Sequence, residues 1–471
     1  INKVSYQVIN KAINKVTQEG VLYTFDGKNP TQTELKNIFE TNLVVDSKLN
    51  NSNDVQIIVC AVDNAGNGVD NSQTNSQSYT SIKVDITAPT IDVEFDNNVA
   101  DSGKYFNKDR TAKITITERN FNANNLKVSI TNTDGKIPVL STWTKIDGTT
   151  ENADDSTYVA TITFAQDGDY TFNVEYTDLA GNKCAGVNYA DGTVAANEFT
   201  LDKTNPAIRV TYDNNDVKNG NYYKAVRTAT IEITEHNFSA DRVNATVTAT
   251  DDGVTKTAPK ISNWTTKGDV HTATIYYSDD AKYTFDISYN DLAGNAAIDY
   301  KEDVFFVDKT VPELKITNVS NDAAYAGSVT PVVSYSDTNF DAETVKITLR
   351  GANRGEVKTN GTKADAKNGA VFTFADFEKI KSVDDIYTLT ATLTDKAGNT
   401  STETVRFSVN RFGSTYELSK SLKKYNGAYV QSVEDVVITE VNANRLENIK
   451  LKLFKNSETI VLKENTDYKE T

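Results

Sequence analysis

Residues 167–182, DGDYTFNVEYTDLAGN, hold a β-strand and the turn that follows it. Tyr170, Phe172, Val174 and Tyr176 alternate with polar residues, which predicts a strand with one buried and one solvent-facing side. The closing Asp-Leu-Ala-Gly-Asn is typical of a turn, because an Asp side chain can bond the nearby backbone and glycine tolerates a positive φ. A half-buried strand that ends in such a turn indicates an antiparallel sheet.

The same turn sequence recurs along the chain. Asp-x-Ala-Gly-Asn begins at Asp63, Asp178, Asp291 and Asp395, at spacings of 115, 113 and 104 residues. Each spacing is close to the length of one β-sandwich domain, about 100 residues. The 471-residue chain is therefore expected to hold roughly four or five such units.

Two further motifs repeat with the same period. The linker motif Asp-x-Thr-x-Pro begins at Asp85, Asp202 and Asp308. An alternating strand follows each linker, and its leading Pro is typical of an edge strand because Pro donates no ladder hydrogen bond. A third motif, Glu/Asp-x-Asn, follows a period-two strand and begins at Glu118, Glu235 and Asp337.

A tyrosine begins the strand before each of the last three Asp-x-Ala-Gly-Asn turns. Tyr170, Tyr283 and Tyr387 each stand just after an acidic turn and two residues before an apolar position. In immunoglobulin-like domains this is the tyrosine-corner position of strand F, where the hydroxyl bonds the upstream backbone. The motif therefore predicts strand F, and it makes Asp-x-Ala-Gly-Asn the turn toward strand G.

The combined motifs resemble the bacterial immunoglobulin-like repeats of Gram-positive cell-surface proteins, in which such a turn precedes such a linker. Here the two motifs begin 22, 24 and 17 residues apart. The resemblance covers nearly the whole chain. It implies an all-β fold, a tandem array of immunoglobulin-like antiparallel β-sandwich domains, located outside the cell, at the cell surface or in the cell wall.

The motifs also set the expected domain boundaries. The first domain is expected to be N-terminally incomplete, with a short helix at Thr33–Phe39, and three complete domains follow it. The last domain is expected to be partial or divergent, because no Asp-x-Ala-Gly-Asn turn follows residue 411. The predicted domains are residues 1–86, 87–203, 204–309, 310–411 and 412–471.

Composition and motifs favour a protein that is not an enzyme. The net charge of −16 repels nucleic acid and anionic lipid, and the chain lacks an apolar run long enough to span a membrane. His236 occupies a repeat position held elsewhere by Arg119 and Thr338, which is not expected of a catalytic base. No nucleotide-binding loop, zinc-protease motif or serine-hydrolase motif is present. We expect a secreted monomer.

Acidic residues of the three motifs are expected to converge. In the immunoglobulin topology the start of strand A and the B–C and F–G loops lie at one pole of the domain. Three carboxylates with a nearby amide form an oxygen set suited to Ca²⁺, and the alternative is that these side chains cap turns and backbone amides. The three expected sets are Asp85, Glu118 and Asp178; Asp202, Glu235 and Asp291; and Asp308, Asp337 and Asp395.

Two functions fit this sequence. The first is a non-catalytic structural and adhesive repeat region of a bacterial surface protein, an extended stalk or binding array whose partner is a host or cell-wall glycan or protein. The alternative is a set of accessory modules of a secreted carbohydrate-active enzyme. Trp143 and Trp264 occupy matching places; exposed, they would stack on sugars, but their repetition favours a place in the core.

Overall fold

The fold is almost entirely β-structure, which confirms the predicted class. A computed structural model describes residues 1–28, 41–68, 78–146, 156–434, 436–441, 450–455 and 457–469, so the helix expected at Thr33–Phe39 lies outside the described residues. Within these ranges no helix is long and apolar enough to cross a membrane. The helices of the described residues are the α-helix α1 (Lys420–Lys424) and four 3₁₀ turns, Ala123–Asn125, Ala240–Arg242, Ala342–Thr344 and Lys381–Val383.

Internal contacts divide the chain into two compact units. The first comprises Ile1–Pro206, Asn237–Arg242 and Tyr289–Ala297, and the second comprises Ala207–His236, Val243–Ser288 and Ile298–Thr471. The first unit begins with an antiparallel sheet of order β2-β1-β3-β4. Its strands are β1 (Lys3–Asn10), β2 (Lys15–Thr24), β3 (Ser52–Val62) and β4 (Ser78–Val84).

Two facing sheets follow in the first unit and form sandwich A. Their strand orders are β12-β5-β7-β10-β9 and β6-β13-β11-β8. Ala112, Ile114 and Ile116 alternate on β7 and are fully buried against the second sheet, as their spacing predicts. The strands are β5 (Thr90–Phe95), β6 (Tyr105–Phe106), β7 (Arg110–Thr117), β8 (Leu126–Asn132), β9 (Thr144–Lys145), β10 (Thr157–Phe164), β11 (Gly168–Tyr176), β12 (Val187–Tyr189) and β13 (Glu198–Leu201).

Sandwich B repeats this arrangement. Its sheets have the orders β14-β16-β20-β19 and β15-β22-β21-β17-β18. Tyr283, Phe285 and Ile287 on β21 are buried in alternation, and Tyr283 packs edge-on against Tyr277. The strands are β14 (Ala207–Tyr212), β15 (Tyr222–Tyr223), β16 (Arg227–Thr234), β17 (Val243–Asp251), β18 (Val254–Thr255), β19 (Thr265–Lys267), β20 (Val270–Tyr277), β21 (Ala281–Tyr289) and β22 (Asp303–Val307).

Sandwich C lies in the second unit and has the most regular hairpin. Its sheets have the orders β23-β25-β29-β28 and β24-β31-β30-β26-β27. Strands β30 and β31 are joined directly by the turn that begins at Asp395. The strands are β23 (Glu313–Thr317), β24 (Ala323–Tyr325), β25 (Val332–Ser336), β26 (Lys346–Gly351), β27 (Gly355–Val357), β28 (Gly361–Ala366), β29 (Gly369–Phe374), β30 (Asp385–Thr394) and β31 (Thr400–Val409).

The tyrosine corners are present in all three sandwiches, which confirms the prediction of strand F. The hydroxyl of Tyr170 donates to the carbonyl of Gln166 at 2.8 Å. The hydroxyls of Tyr283 and Tyr387 likewise donate to carbonyls four residues upstream, at 2.9 and 2.6 Å. These bonds fix the turn at the start of strand F, so the far end of the strand places the Asp-x-Ala-Gly-Asn turn.

One strand prediction, the edge position of the strand after each linker, is wrong for one of the three strands. The strands after the linkers, β14 and β23, lie at sheet edges as expected, but β5 does not, because the three-residue strand β12 pairs with it in parallel. Strand β12 belongs to a long segment between the turn at Asp178 and strand β13, whereas sandwich C needs only the five-residue turn. The longer connection in sandwich A therefore covers an edge that sandwiches B and C leave open.

After sandwich C the described residues form two separate strand pairs. Strand β32 (Thr415–Leu418) pairs with β33 (Ile438–Val441), and β34 (Lys452–Lys455) pairs with β35 (Glu458–Val461). The domain boundaries predicted from the motifs, including the partial or divergent character of residues 412–471, remain predictions.

Candidate cation sites at the domain linkers

The Asp-x-Ala-Gly-Asn turn is a closed hydrogen-bonded unit. Asp178 Oδ1 accepts the backbone N–H groups of Ala180 and Asn182, both at 2.8 Å, and its Oδ2 accepts Asn182 Nδ2 at 2.8 Å. Gly181 has φ 93°, a conformation that glycine adopts without strain. Asp63 makes the same three bonds in a turn that no linker motif precedes. The turn therefore forms from its own five residues.

The Asn of each later turn also holds the linker. Besides Asp178, Asn182 Nδ2 donates to the backbone carbonyl of Asp85 at 3.1 Å. Asn399 Nδ2 donates in the same way to the carbonyl of Asp308 at 2.9 Å. One amide thus ties the F–G turn of a sandwich to the linker that enters it.

The third motif completes the arrangement. Asn120 Nδ2 donates to Asp85 Oδ2 at 2.7 Å, while the Asn120 backbone N–H donates to Glu118 Oε1 at 2.6 Å. Asn339 makes the equivalent bonds to Asp308 Oδ2 at 2.7 Å and to Asp337 Oδ1 at 2.6 Å. The same residue types therefore make the same contacts at the first and third linkers.

The structure brings the first and third expected sets of carboxylates together. Within each set one oxygen per residue lies within 4.8 Å of the other two. The first set is Asp85, Glu118 and Asp178, and the third set is Asp308, Asp337 and Asp395. All six side chains are largely withdrawn from solvent, so like charges face one another in a region of reduced screening.

The residues of the second set belong to different compact units, with Asp202 and Asp291 in the first and Glu235 in the second. In the first unit Asn295 Nδ2 bridges Asp291 Oδ2 and the carbonyl of Asp202, both at 2.8 Å. In the second unit Glu235 is buried just after β16, and its backbone N–H donates to the carbonyl of Asp269 at 2.8 Å.

Burial and mutual repulsion alter the acidity of these groups. Burial raises the pKa of Glu118 to about 7, and the charges of Asp85 and Asp178 add to the effect. Burial likewise raises the pKa of Asp337 to about 6, with contributions from Asp308 and Asp395. Near neutral pH, Glu118 and Asp337 can therefore each hold a proton.

The first and third sets fit two interpretations. Ca²⁺ coordinates oxygens at about 2.3–2.6 Å, so opposite ligands lie about 4.6–5.2 Å apart, and a separation within 4.8 Å is compatible with that spacing. The same oxygens already accept N–H donors, which is the role expected of turn caps. The turn at Asp63 has the same caps, and no comparable set of carboxylates is found around it among the described residues.

The other candidate residues take structural places. Trp143 is half-buried and packs on Phe121, with ring centroids 5.0 Å apart, at the edge of the sandwich A core. Trp264 is also half-buried. His271 is buried and bonds the Glu235 carbonyl and the Thr266 hydroxyl.

The sequence analysis did not predict that the Asn of each F–G turn, such as Asn182 and Asn399, bonds the backbone of the linker. It also missed Arg119, which is buried and reaches the N-terminal sheet. The recurrence of Asn at the fifth position of every turn was the available signal for the clamp. For Arg119 no repeat exists, so the sequence offered none.

No curated protein sequence matches the chain. Among solved structures it is similar to a tetra-tandem repeat from the extending region of a large adhesion protein, at 17% identity and TM-score 0.40, over 87% of this chain and 92% of that chain. It is also similar to invasin, a bacterial integrin-binding protein, at 12% identity and TM-score 0.28, over 90% of this chain and 76% of that chain. FdeC, an Escherichia coli adhesin, is 15% identical with TM-score 0.24, over 68% of this chain and 96% of that chain. At these TM-scores the likenesses support no conclusion about function. Residues 276–411 match the family model described as bacterial Ig-like domain (group 3).

Proposed function

We propose that the chain is a non-catalytic structural and adhesive repeat region of a bacterial surface protein, of the Gram-positive type that its motifs resemble. It acts outside the cell as an extended stalk or binding array, and its partner is a glycan or protein of the host or the cell wall. The match to a bacterial Ig-like domain supports this proposal. The three sandwiches, each built on the same tyrosine corner, support it as well.

The observation that carries the proposal is the clamp at the third linker. Asn399 is buried and donates to the carbonyl of Asp308, while Asn339 donates to the Asp308 carboxylate. A further contact between sandwiches B and C is made by Asn219, whose Nδ2 donates to the carbonyl of Lys396 at 2.7 Å. Two separate contacts resist both bending and twisting, as a load-transmitting spacer requires.

We further propose that Ca²⁺ strengthens the third linker. Asp308, Asp337 and Asp395 make no ion pair among the described residues, and the nearby Asp280 adds to the repulsion that raises the pKa of Asp337. A divalent cation would offset this repulsion and hold the F–G turn, the linker and the third motif together. Extracellular modules bind calcium at about 10⁻⁴–10⁻³ M, so the site would be filled outside the cell.

Small-angle scattering of the whole chain tests the stalk. Five units of roughly 30–40 Å each, from strands of 7–10 residues, give a length of about 150–200 Å. A rod of that length has a radius of gyration of about 43–58 Å, whereas a compact chain of this size has about 23 Å. A radius above about 40 Å supports the proposal, and a value near 23 Å contradicts it.

A further inference from the structure

Arg119 distinguishes the first linker from the third. It is buried, and its Nη2 lies 2.9 Å from Asn51 Oδ1 and 3.7 Å from Asp85 Oδ1. Asn51 immediately precedes β3 of the N-terminal sheet, and Arg119 lies two residues after the end of β7 in sandwich A. A single guanidinium therefore contacts the preceding sheet and the linker while it is anchored in the next sandwich.

The linker itself is bonded to the same Asn51. Asn51 Oδ1 accepts the N–H of Ile86 at 3.3 Å, and Asn51 Nδ2 donates to Thr87 Oγ1 at 2.9 Å. At the third linker the equivalent threonine, Thr310, donates its hydroxyl to Asp280 Oδ2 at 2.6 Å. The neutral amide of the first linker is thus replaced by a carboxylate at the third.

The first and third linkers differ in the charged side chains that surround them. The first combines three carboxylates with a neutral Asn51 and a buried Arg119. The third combines three carboxylates with a fourth, Asp280, whose ion-pair partner is Lys309 at 3.6 Å, and Thr338 occupies the repeat position of Arg119. Arg119 Nη2 lies 3.7 Å from a carboxylate of the first set, whereas Asp308, Asp337 and Asp395 of the third set form no ion pair among the described residues.

We propose that Arg119 is the fixed cation of the first linker and takes the place there of a divalent ion. The guanidinium offsets the repulsion among Asp85, Glu118 and Asp178, and its Nη2 lies near both Asp85 and Asn51. The first linker then holds its geometry without calcium, whereas the third depends on it. The part of this inference that concerns calcium rests on the proposed function.

Hydrogen exchange of the full chain, followed by mass spectrometry, measures each linker separately. It would be recorded in chelator and in 5 mM calcium, roughly five times the larger dissociation constant given above. In the unaltered chain calcium should slow exchange at residues 308–310 and leave residues 85–87 unchanged. Arg119→Thr, which installs the residue of the third repeat, should speed exchange at residues 85–87 about tenfold or more in chelator, and calcium should reverse it. Thr338→Arg should make residues 308–310 insensitive to calcium.

Arg119→Lys keeps the positive charge, so it should retain most of the protection that is lost in Arg119→Thr. Unchanged exchange of Arg119→Thr in chelator would overturn the inference. Suppose that Arg119→Thr speeds hydrogen exchange at the first linker, that calcium fails to reverse this, and that the third linker of the same chain does respond to calcium. That result would overturn the proposal that Arg119 takes the place of the ion. If calcium acts at neither linker in any variant, the calcium site of the proposed function fails. Loosening by Arg119→Thr in chelator would still support Arg119 as the fixed cation.

Discussion

Replacing Asn399 with alanine should loosen the third linker by a measurable amount. The side chain is 8% exposed, and its Nδ2 donates to the carbonyl of Asp308 at 2.9 Å and to Asp395 Oδ2 at 2.8 Å. Leaving a buried acceptor without its donor costs about 1–3 kcal/mol, more for a charged one. Because one amide serves both acceptors and water can partly replace it, we expect a loss of about 2–4 kcal/mol.

Hydrogen exchange at residues 308–310 and 395–399 measures this loss directly. A loss of about 2–4 kcal/mol corresponds to exchange faster by about 30- to 900-fold, if opening is local. Asn67→Ala is the matched control, because Asn67 occupies the same place in an exposed turn and, among the described residues, its side chain bonds Asp63 alone, at 3.0 Å. We expect less than about 1 kcal/mol there. Equal effects of the two substitutions would refute the clamp.

Four other outcomes follow from the structure. Tyr283→Phe should lower the free energy of unfolding by about 0.5–1.5 kcal/mol, because the part-buried hydrogen bond to the Asp279 carbonyl is lost; an unchanged denaturant midpoint would contradict this. Arg110→Lys should cost about 2–4 kcal/mol, since Arg110 is fully buried, lies over Phe rings and bonds several carbonyl groups, whereas Arg209→Lys at an exposed ion pair should cost under about 0.5 kcal/mol. Folding raises the pKa of Glu118 to about 7 and that of Asp337 to about 6. In chelator, the free energy of unfolding that these two groups contribute should therefore be fully present below their unfolded pKa values and fall as the pH rises through about 6 and 7. A free energy of unfolding that rises over this range would count against the prediction. A panel of glycan, peptide and ester substrates should show no turnover, and activity abolished by one Asp or Glu substitution would overturn the non-catalytic assignment.

The local structure of the sandwiches was predictable because each feature depends on neighbouring residues. Alternation placed Phe172 and Ile114 in the core, and the position of Tyr170 predicted its hydroxyl bond. Features that join distant residues were not predictable from a single copy. Arg119 and Asn51 are 68 residues apart, and no second example of that pair exists in the chain.

The candidate site was partly predictable, because part of it repeats along the chain. The acidic positions of the first and third sets repeat, so the topology alone predicted that they meet. What they accept was not predictable, because N–H donors from Asn182 or Asn399 and a metal cation compete for the same carboxylate oxygens. The long connection that places β12 against β5 carries no repeat either, so the edge position expected for β5 was wrong.

The distance distribution between sandwiches B and C tests most directly whether the linker is a fixed joint. Spin labels would be attached at Tyr276→Cys on β20 and Glu403→Cys on β31, both exposed, with Cys184 replaced by Ser and Cys60 left buried. Pulsed electron resonance in calcium should give one narrow distance peak, which Asn399→Ala broadens and Asn67→Ala leaves unchanged. A broad distribution in the otherwise unaltered chain, in calcium, would contradict the account.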